Sequence, residues 1–136
     1  MPRAATRPAP CFATIACRSS RQAKRCWSMT TMHLDDTVTL TPTPGHSPCH
    51  CCVNLFSKGQ RAVVTGDLMH HVIQCRELDW SPNVDWDPKQ SAASRRTFFA
   101  SVAGTDTLIL PIHFPKPTVG LITADGDRFD YRFKRD

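Results

Sequence analysis

At 136 residues, 40% of them hydrophobic, the chain has material for one domain with its own core and too little for two. Seventeen Lys and Arg against twelve Asp and Glu give a formal charge of +5, but six of those bases (Arg3, Arg7, Arg18, Arg21, Lys24 and Arg25) lie in residues 1–32, which contain no acid. The remainder holds 11 bases and 12 acids, so the folded part is not expected to present the basic face that neutralises nucleic-acid phosphates.

Residues 1–35 read as a basic, poorly ordered tail, with Pro2, Pro8 and Pro10 breaking any early helix. Their Arg-rich, acid-free composition also fits an organellar transit peptide. Seven cysteines is an odd number, and the crowding of Cys49, Cys51 and Cys52 lacks the spread of a secreted disulfide framework. Reduced thiols in a cytoplasmic protein are the expectation, with an organellar location as the alternative. No run of residues approaches the roughly 18 apolar positions that cross a bilayer, so a soluble chain without a membrane partner is expected.

The domain is expected over 36–136. Thr37 to Leu40 alternates like a half-buried strand, and Pro42, Pro44, Gly45 and Pro48 then force a loop that carries His46. Cys51 to Phe56 and Arg61 to Thr65 read as a hairpin about Ser57-Lys58-Gly59-Gln60, whose second arm ends at Gly66-Asp67. Leu68 to Trp86 has no sustained period and reads as a long irregular connection, containing His70, His71 and Cys75. Asp87-Pro88-Lys89-Gln90 is a helix start, with Asp as cap and Pro at the first helical position, and Gly104 marks the end. Ala92, Phe99, Ala100 and Ala103 are expected on its buried face, and Lys89, Arg95 and Arg96 in solvent. Thr107 to Ile112 suits a buried strand that delivers His113 to a proline-fenced loop, and Val119 to Phe133 suits a terminal hairpin turning at Asp125-Gly126.

His46, Asp67 and His113 share one setting: each lies just past a predicted strand, beside residues that stiffen the loop. Imidazole nitrogens and a carboxylate at one rim of a sheet are what zinc requires, and one carboxylate can bridge two ions through its two oxygens. Singly, each residue has a plainer reading, Asp after Gly as a turn former and His as a surface or satisfied core residue. Cys49-His50-Cys51-Cys52, with Cys75, suggests a separate zinc cluster; alternation along a strand splits those side chains between two faces, and small buried thiols are the competing reading.

The words Thr43-Pro44-Gly45-His46-Ser47-Pro48, Val64-Thr65-Gly66-Asp67 and Pro111-Ile112-His113-Phe114-Pro115 come in the order and at the separations found in metallo-β-lactamase-fold hydrolases. The resemblance runs through Met69 to Gln74 and on to Thr118, covers about 36–133, and looks closest to the lactonase-like and organophosphate-hydrolase-like branch. It implies an α/β fold, the C-terminal half of an αββα sandwich, with a mixed sheet and a flanking helix. By resemblance His46 binds a first zinc, Asp67 bridges two, and His113 binds the second. Zinc-activated water then attacks an ester, lactone or phosphoester, with Asp67 in the reaction centre and His70 either contacting substrate or standing as a loop histidine.

One departure is large. The family's His-x-His-x-Asp-His motif, which supplies the other metal ligands, does not occur in the sequence, and Met32-His33-Leu34-Asp35-Asp36 does not replace it. The expectation is therefore a truncated hydrolase domain that holds at most one Zn²⁺, weakly, and has little activity alone. The alternative is an interaction module that pairs through an exposed sheet face with itself or with a separate N-terminal half. A smaller departure is Cys49, where the family has Gly; a Cβ there would distort the loop if its backbone needed positive φ.

Overall fold

The structure is a computed structural model, and it describes residues 30–135. Seven strands form one mixed sheet in chain order: β1 (Met32–His33), β2 (Val38–Pro42), β3 (Cys51–Ser57), β4 (Gln60–Gly66), β5 (Leu108–Pro111), β6 (Gly120–Asp125) and β7 (Arg128–Phe133). Every neighbouring pair is antiparallel except β4 and β5, which are parallel. A parallel pair needs a crossover, and the segment between them supplies it with a 3-10 turn at Val72–Cys75 and the helix α1 (Pro88–Val102).

The helix begins where its cap dictates. The Asp87 carboxylate accepts from the Gln90 N–H at 3.0 Å, Pro88 fills the first helical position, and the last turn closes before Gly104, whose φ is 73°. The β3–β4 hairpin turns on Lys58 and Gly59, both at positive φ, which matches the twist of its arms. The terminal hairpin turns one residue later than the sequence suggests. Asp125 pairs with Arg128, so Gly126 and Asp127 make the turn, and Gly126, at φ 59°, takes the position that needs no Cβ.

The core lies between one face of the sheet and the layer made by α1 and the connection before it. Val63, Ile109, Ile122 and Tyr131 point into it from the strands, and Leu68, Met69, Cys75, Leu78, Phe98, Phe99 and Val102 close it from above. Gly120 is fixed by this packing, because a Cβ there would stand 2.4 Å from the Tyr131 ring.

Two expectations change. Met32–His33 pairs with Thr39 and Leu40, so the sheet starts ahead of residue 36, inside the segment read as a tail; residues 1–29 of that segment lie outside the described residues. On α1, Ala100 is exposed and Ala103 half-buried, while Arg95 is 0% exposed. Its five N–H groups meet five acceptors, the carbonyls of Leu68, Leu78 and Trp80 and the hydroxyls of Ser81 and Ser91, at 2.7–3.3 Å. Burying a guanidinium is tolerable only with such full pairing, and burial holds its pKa below the ordinary value. As expected, the described residues form one mixed sheet with one flanking α-helix, an α/β arrangement.

Candidate metal centre

Topology brings three chain segments to one rim. β2 and β4 are each antiparallel to β3, and β5 is parallel to β4, so β2, β4 and β5 all end at the same edge. The loop after β2 carries His46, Asp67 follows β4, and His113 follows β5. Ligand sites in sheets of this kind form at the carboxyl ends of parallel strands for this reason.

The His46 loop is clamped onto the start of α1. The Trp86 and Asp87 N–H groups donate to the carbonyls of His46 and Gly45 at 3.1 and 2.9 Å, and the Ser94 hydroxyl donates to the Pro44 carbonyl at 2.6 Å. Gly45, at φ 141°, cannot be replaced, since a Cβ would lie 2.2 Å from the Ser91 backbone. Cys49 needs no such freedom. Lys58 is the one non-glycine residue at positive φ among the described residues, so Cys49 sits in its loop without that strain.

Just ahead of Asp67 the β4–β5 register shifts between Val64 and Gly66. The Asp67 N–H donates to His50 Nε2 at 3.1 Å, so the His50 proton is on Nδ1, which lies 3.0 Å from the Thr43 carbonyl. Gly66 admits that ring, since a Cβ there would press on His50 Nε2 at 3.0 Å. Burial disfavours a charged His50 and lowers its pKa.

Around the Asp67 carboxylate the predicted residues converge. Oδ1 is 2.7 Å from His113 Nε2 and 3.6 Å from His70 Nε2, and Oδ2 is 3.5 Å from His46 Nε2. The His70 ring stacks on His113, with centroids 4.7 Å apart and planes at 14°. Partial burial pushes the Asp67 carboxyl up, but the hydrogen bond from His113 and the fields of His46, His70 and His113 outweigh it, so its pKa falls below the usual value. Burial first, then the neighbouring His113, lower the pKa of His70. An anionic carboxylate among imidazole nitrogens is the donor set of a divalent ion of the zinc type. Asp67, His70 and His113 can each offer one atom within 4.8 Å of the others, so the residues present fit one ion.

Asp85 was not legible as a site residue. Its side chain is fully buried, and Oδ1 accepts from His46 Nδ1 at 3.0 Å, which leaves His46 Nε2 free to face Asp67. A carboxylate behind a ligating histidine fixes its tautomer and ring orientation. The two residues stand 39 apart in the chain, within which no sequence pattern ties them. In the sequence His50 stands out only as part of the cysteine-rich word Cys49-His50-Cys51-Cys52. The structure makes it a backbone support for Asp67. No zinc cluster gathers around it among the described residues: Cys52 and Cys75 are buried core thiols, pushed up by burial to about 11 and about 12, and Cys49 is in a disulfide.

No family profile and no curated protein sequence matches the chain. Solved structures do. AidC, a dizinc quorum-quenching lactonase in complex with a product, superposes with a TM-score of 0.72 at 24% identity over 77% of this chain and 36% of its own. The hydrolase AbOPH of the β-lactamase superfamily gives 0.70 at 25% identity, over 75% of this chain and 36% of its own. A probable metal-dependent hydrolase from Staphylococcus aureus gives 0.59 at 20% identity, over 79% and 39%. The chain thus spans little more than a third of the length of these proteins, and over that span it has the fold of the metallo-β-lactamase-superfamily hydrolases, in the form taken by the lactonase-like and organophosphate-hydrolase-like branch.

Proposed function

We propose that this chain is the metal-binding part of a metal-dependent hydrolase that acts on an ester, lactone or phosphoester, and that by itself it holds at most one divalent ion and turns over little or no substrate. The observation that carries this reading is the convergence of His46, His70 and His113 on the two oxygens of Asp67. The fold neighbours support the substrate class, since one is a lactonase and another an N-acyl homoserine lactone hydrolase with its product bound at the catalytic metal centre.

In this reading His46, Asp67 and His113 hold metal, with Asp67 and His70 at the reacting centre. A bound zinc would lower the pKa of its water to about 7 and polarise the substrate oxygen. The chain's own residues set that up: Asp85 orients His46, His50 holds the Asp67 backbone, and the Arg95 staple fixes the connection that carries His70. The absent His-x-His-x-Asp-His word removes the remaining ligands, so two complete zinc sites cannot form on one copy.

A second reading, pairing through the sheet, is favoured by the face opposite α1. The register lines up Met32, Leu40, Val53, Val64 and Leu110 in one apolar row across five strands, and Val38, Leu55, Ala62 and Leu108 in the next. Such a face fits a second β layer, which in a sandwich stacks about 10 Å away.

The test is to measure zinc content after dialysis, then hydrolysis of a chromogenic lactone, with and without an added N-terminal segment of AidC carrying the missing ligands. Alone, the chain should retain at most one equivalent and show no turnover, and the segment should raise both. Tight binding of two equivalents by the chain alone, or no metal lost on replacing Asp67 by Ala, would sink the proposal.

A further inference from the structure

At the end of the sheet opposite the metal rim the ladder is interrupted. β5 and β6 share one registered pair, Ile109 with Gly120, whereas β6 and β7 share six. Past that pair Leu108 of β5 and Leu121 of β6 line a cavity of about 660 Å³, a volume ordinary for a small-ligand site. The start of β4, the segment 105–107 and the end of β7 complete its wall. β4 is seven residues long, so at about 3.3 Å per residue the cavity and Asp67 stand roughly 20 Å apart.

Arg61, Arg132 and Lys134 line this cavity, and Asp106 is the one acid on its wall among the described residues. We infer that it binds a small, multiply charged, phosphate-bearing anion, at a site separate from the metal centre and independent of the reading given to that centre.

Three observations carry the inference. First, the charges are uncompensated. Arg76, Arg96 and Arg128 each meet a carboxylate, at 2.6–3.7 Å, whereas Arg61, Arg132 and Lys134 meet none among the described residues. The chain beyond residue 32 holds 11 bases and 12 acids, so three cations to one acid is a property of this cavity and not of the surface at large. Second, the cations stand on fixed backbone. Arg61 pairs with Phe56, Arg132 pairs with Leu121, and the Lys134 N–H donates to the Val119 carbonyl at 2.8 Å. The facing segment is tied down as well, by the Gly104 N–H on the Ile122 carbonyl at 3.0 Å and the Thr105 hydroxyl on the Val102 carbonyl at 2.8 Å. Like charges held together in a concavity repel one another and concentrate the field that draws in an anion. Third, the donors suit phosphate. Each guanidinium fork can hold two oxygens of one phosphate, Lys134 adds a compact charge, and all three side chains are exposed to a ligand arriving from solvent. A nucleic-acid strand fits less well, because it needs a basic track along its backbone and not one cluster in a closed-ended hollow.

Calorimetric titration of inorganic pyrophosphate into the metal-free full chain tests the inference, with circular dichroism to confirm that each variant folds. One equivalent should bind. Arg61→Gln and Arg132→Gln should each weaken binding by about tenfold or more, the scale of one charged hydrogen bond, and Asp106→Asn should tighten it by removing the repelling carboxylate. Lys89→Gln, on α1 outside the cavity, should leave it unchanged. Equal weakening by Lys89→Gln would show a response to net charge alone, and unchanged binding in Arg61→Gln and Arg132→Gln would place the anion elsewhere; either result overturns the inference. So does a failure of pyrophosphate to bind, including the case in which phosphatidylglycerol vesicles do bind, since the three cations would then serve a membrane surface.

Discussion

Towards α1 the sheet presents Cys52, Val63, Ile109, Ile122 and Tyr131, all buried; on the opposite face it presents Leu40, Val53, Leu55, Val64 and Leu110, none of them buried. The residue types on the two faces are alike. What separates them is cover: the first face lies under Phe98, Phe99, Leu68 and Leu78, and no helix among the described residues packs on the second. Burial, not composition, turns an apolar row into stability, so the two faces should respond very differently to the same chemical change.

The largest contrast should come from truncating the covered face at its centre. Phe99 is 0% exposed, with ring centroids of Phe98 and Phe129 at 5.9 and 5.5 Å. Phe99→Ala should cost about 3–5 kcal/mol, enough to leave a small, partly covered domain largely unfolded, as read by urea titration of circular dichroism. A loss below about 1 kcal/mol would mean that α1 is not what closes this core.

A smaller effect follows from protons on the same face. Burial raises the Cys52 and Cys75 thiols from 9.0 to about 11 and about 12, and raises the Tyr131 phenol, whose hydroxyl is shared between the Ile109 and Thr118 carbonyls. The folded chain keeps protons that the unfolded chain releases above pH 9, so the unfolded state binds fewer and stability must fall as pH rises from about 9 through about 11 and about 12. Thermal melts of metal-free protein should therefore decline steadily above pH 9, and Cys75→Ala should flatten the slope. A melting temperature unchanged from pH 8 to pH 11 would place these groups in water.

This division also explains what was legible beforehand. The strands and the cap at Asp87-Pro88 could be read because local chemistry settles them: alternation, proline at the first helical position, glycine where φ is positive. His46, Asp67 and His113 could be singled out because each follows a strand, and the strand directions then bring those ends to one rim. Arg95 could not, since a basic residue on a helix is ordinarily solvated, and only the fold gathers five acceptors about it. Asp85 and Gln74 were hidden for the same reason: each acts through a contact made in space by a connection with no period of its own. The side of the carboxylate on which His70 stands depends on side-chain placement, which no spacing encodes.

The smallest expected change in stability lies on the uncovered face, and it is the one that bears on pairing. Val53 and Leu55 sit on β3 opposite Val64 and Ala62, and Leu55 is 37% exposed. Val53→Thr with Leu55→Thr places β-branched residues that suit a strand at both positions, removes apolar surface, and should cost less than about 1 kcal/mol in urea titration because little burial is lost. If that face joins a second layer, the same double substitution should lower the mass seen by light scattering at a given concentration and weaken association with an added N-terminal segment. An unchanged mass together with unchanged association would remove the pairing reading. A destabilisation as large as that of Phe99→Ala would show instead that the face is already covered within a single copy, and that the two sides of the sheet differ less than their described neighbours imply.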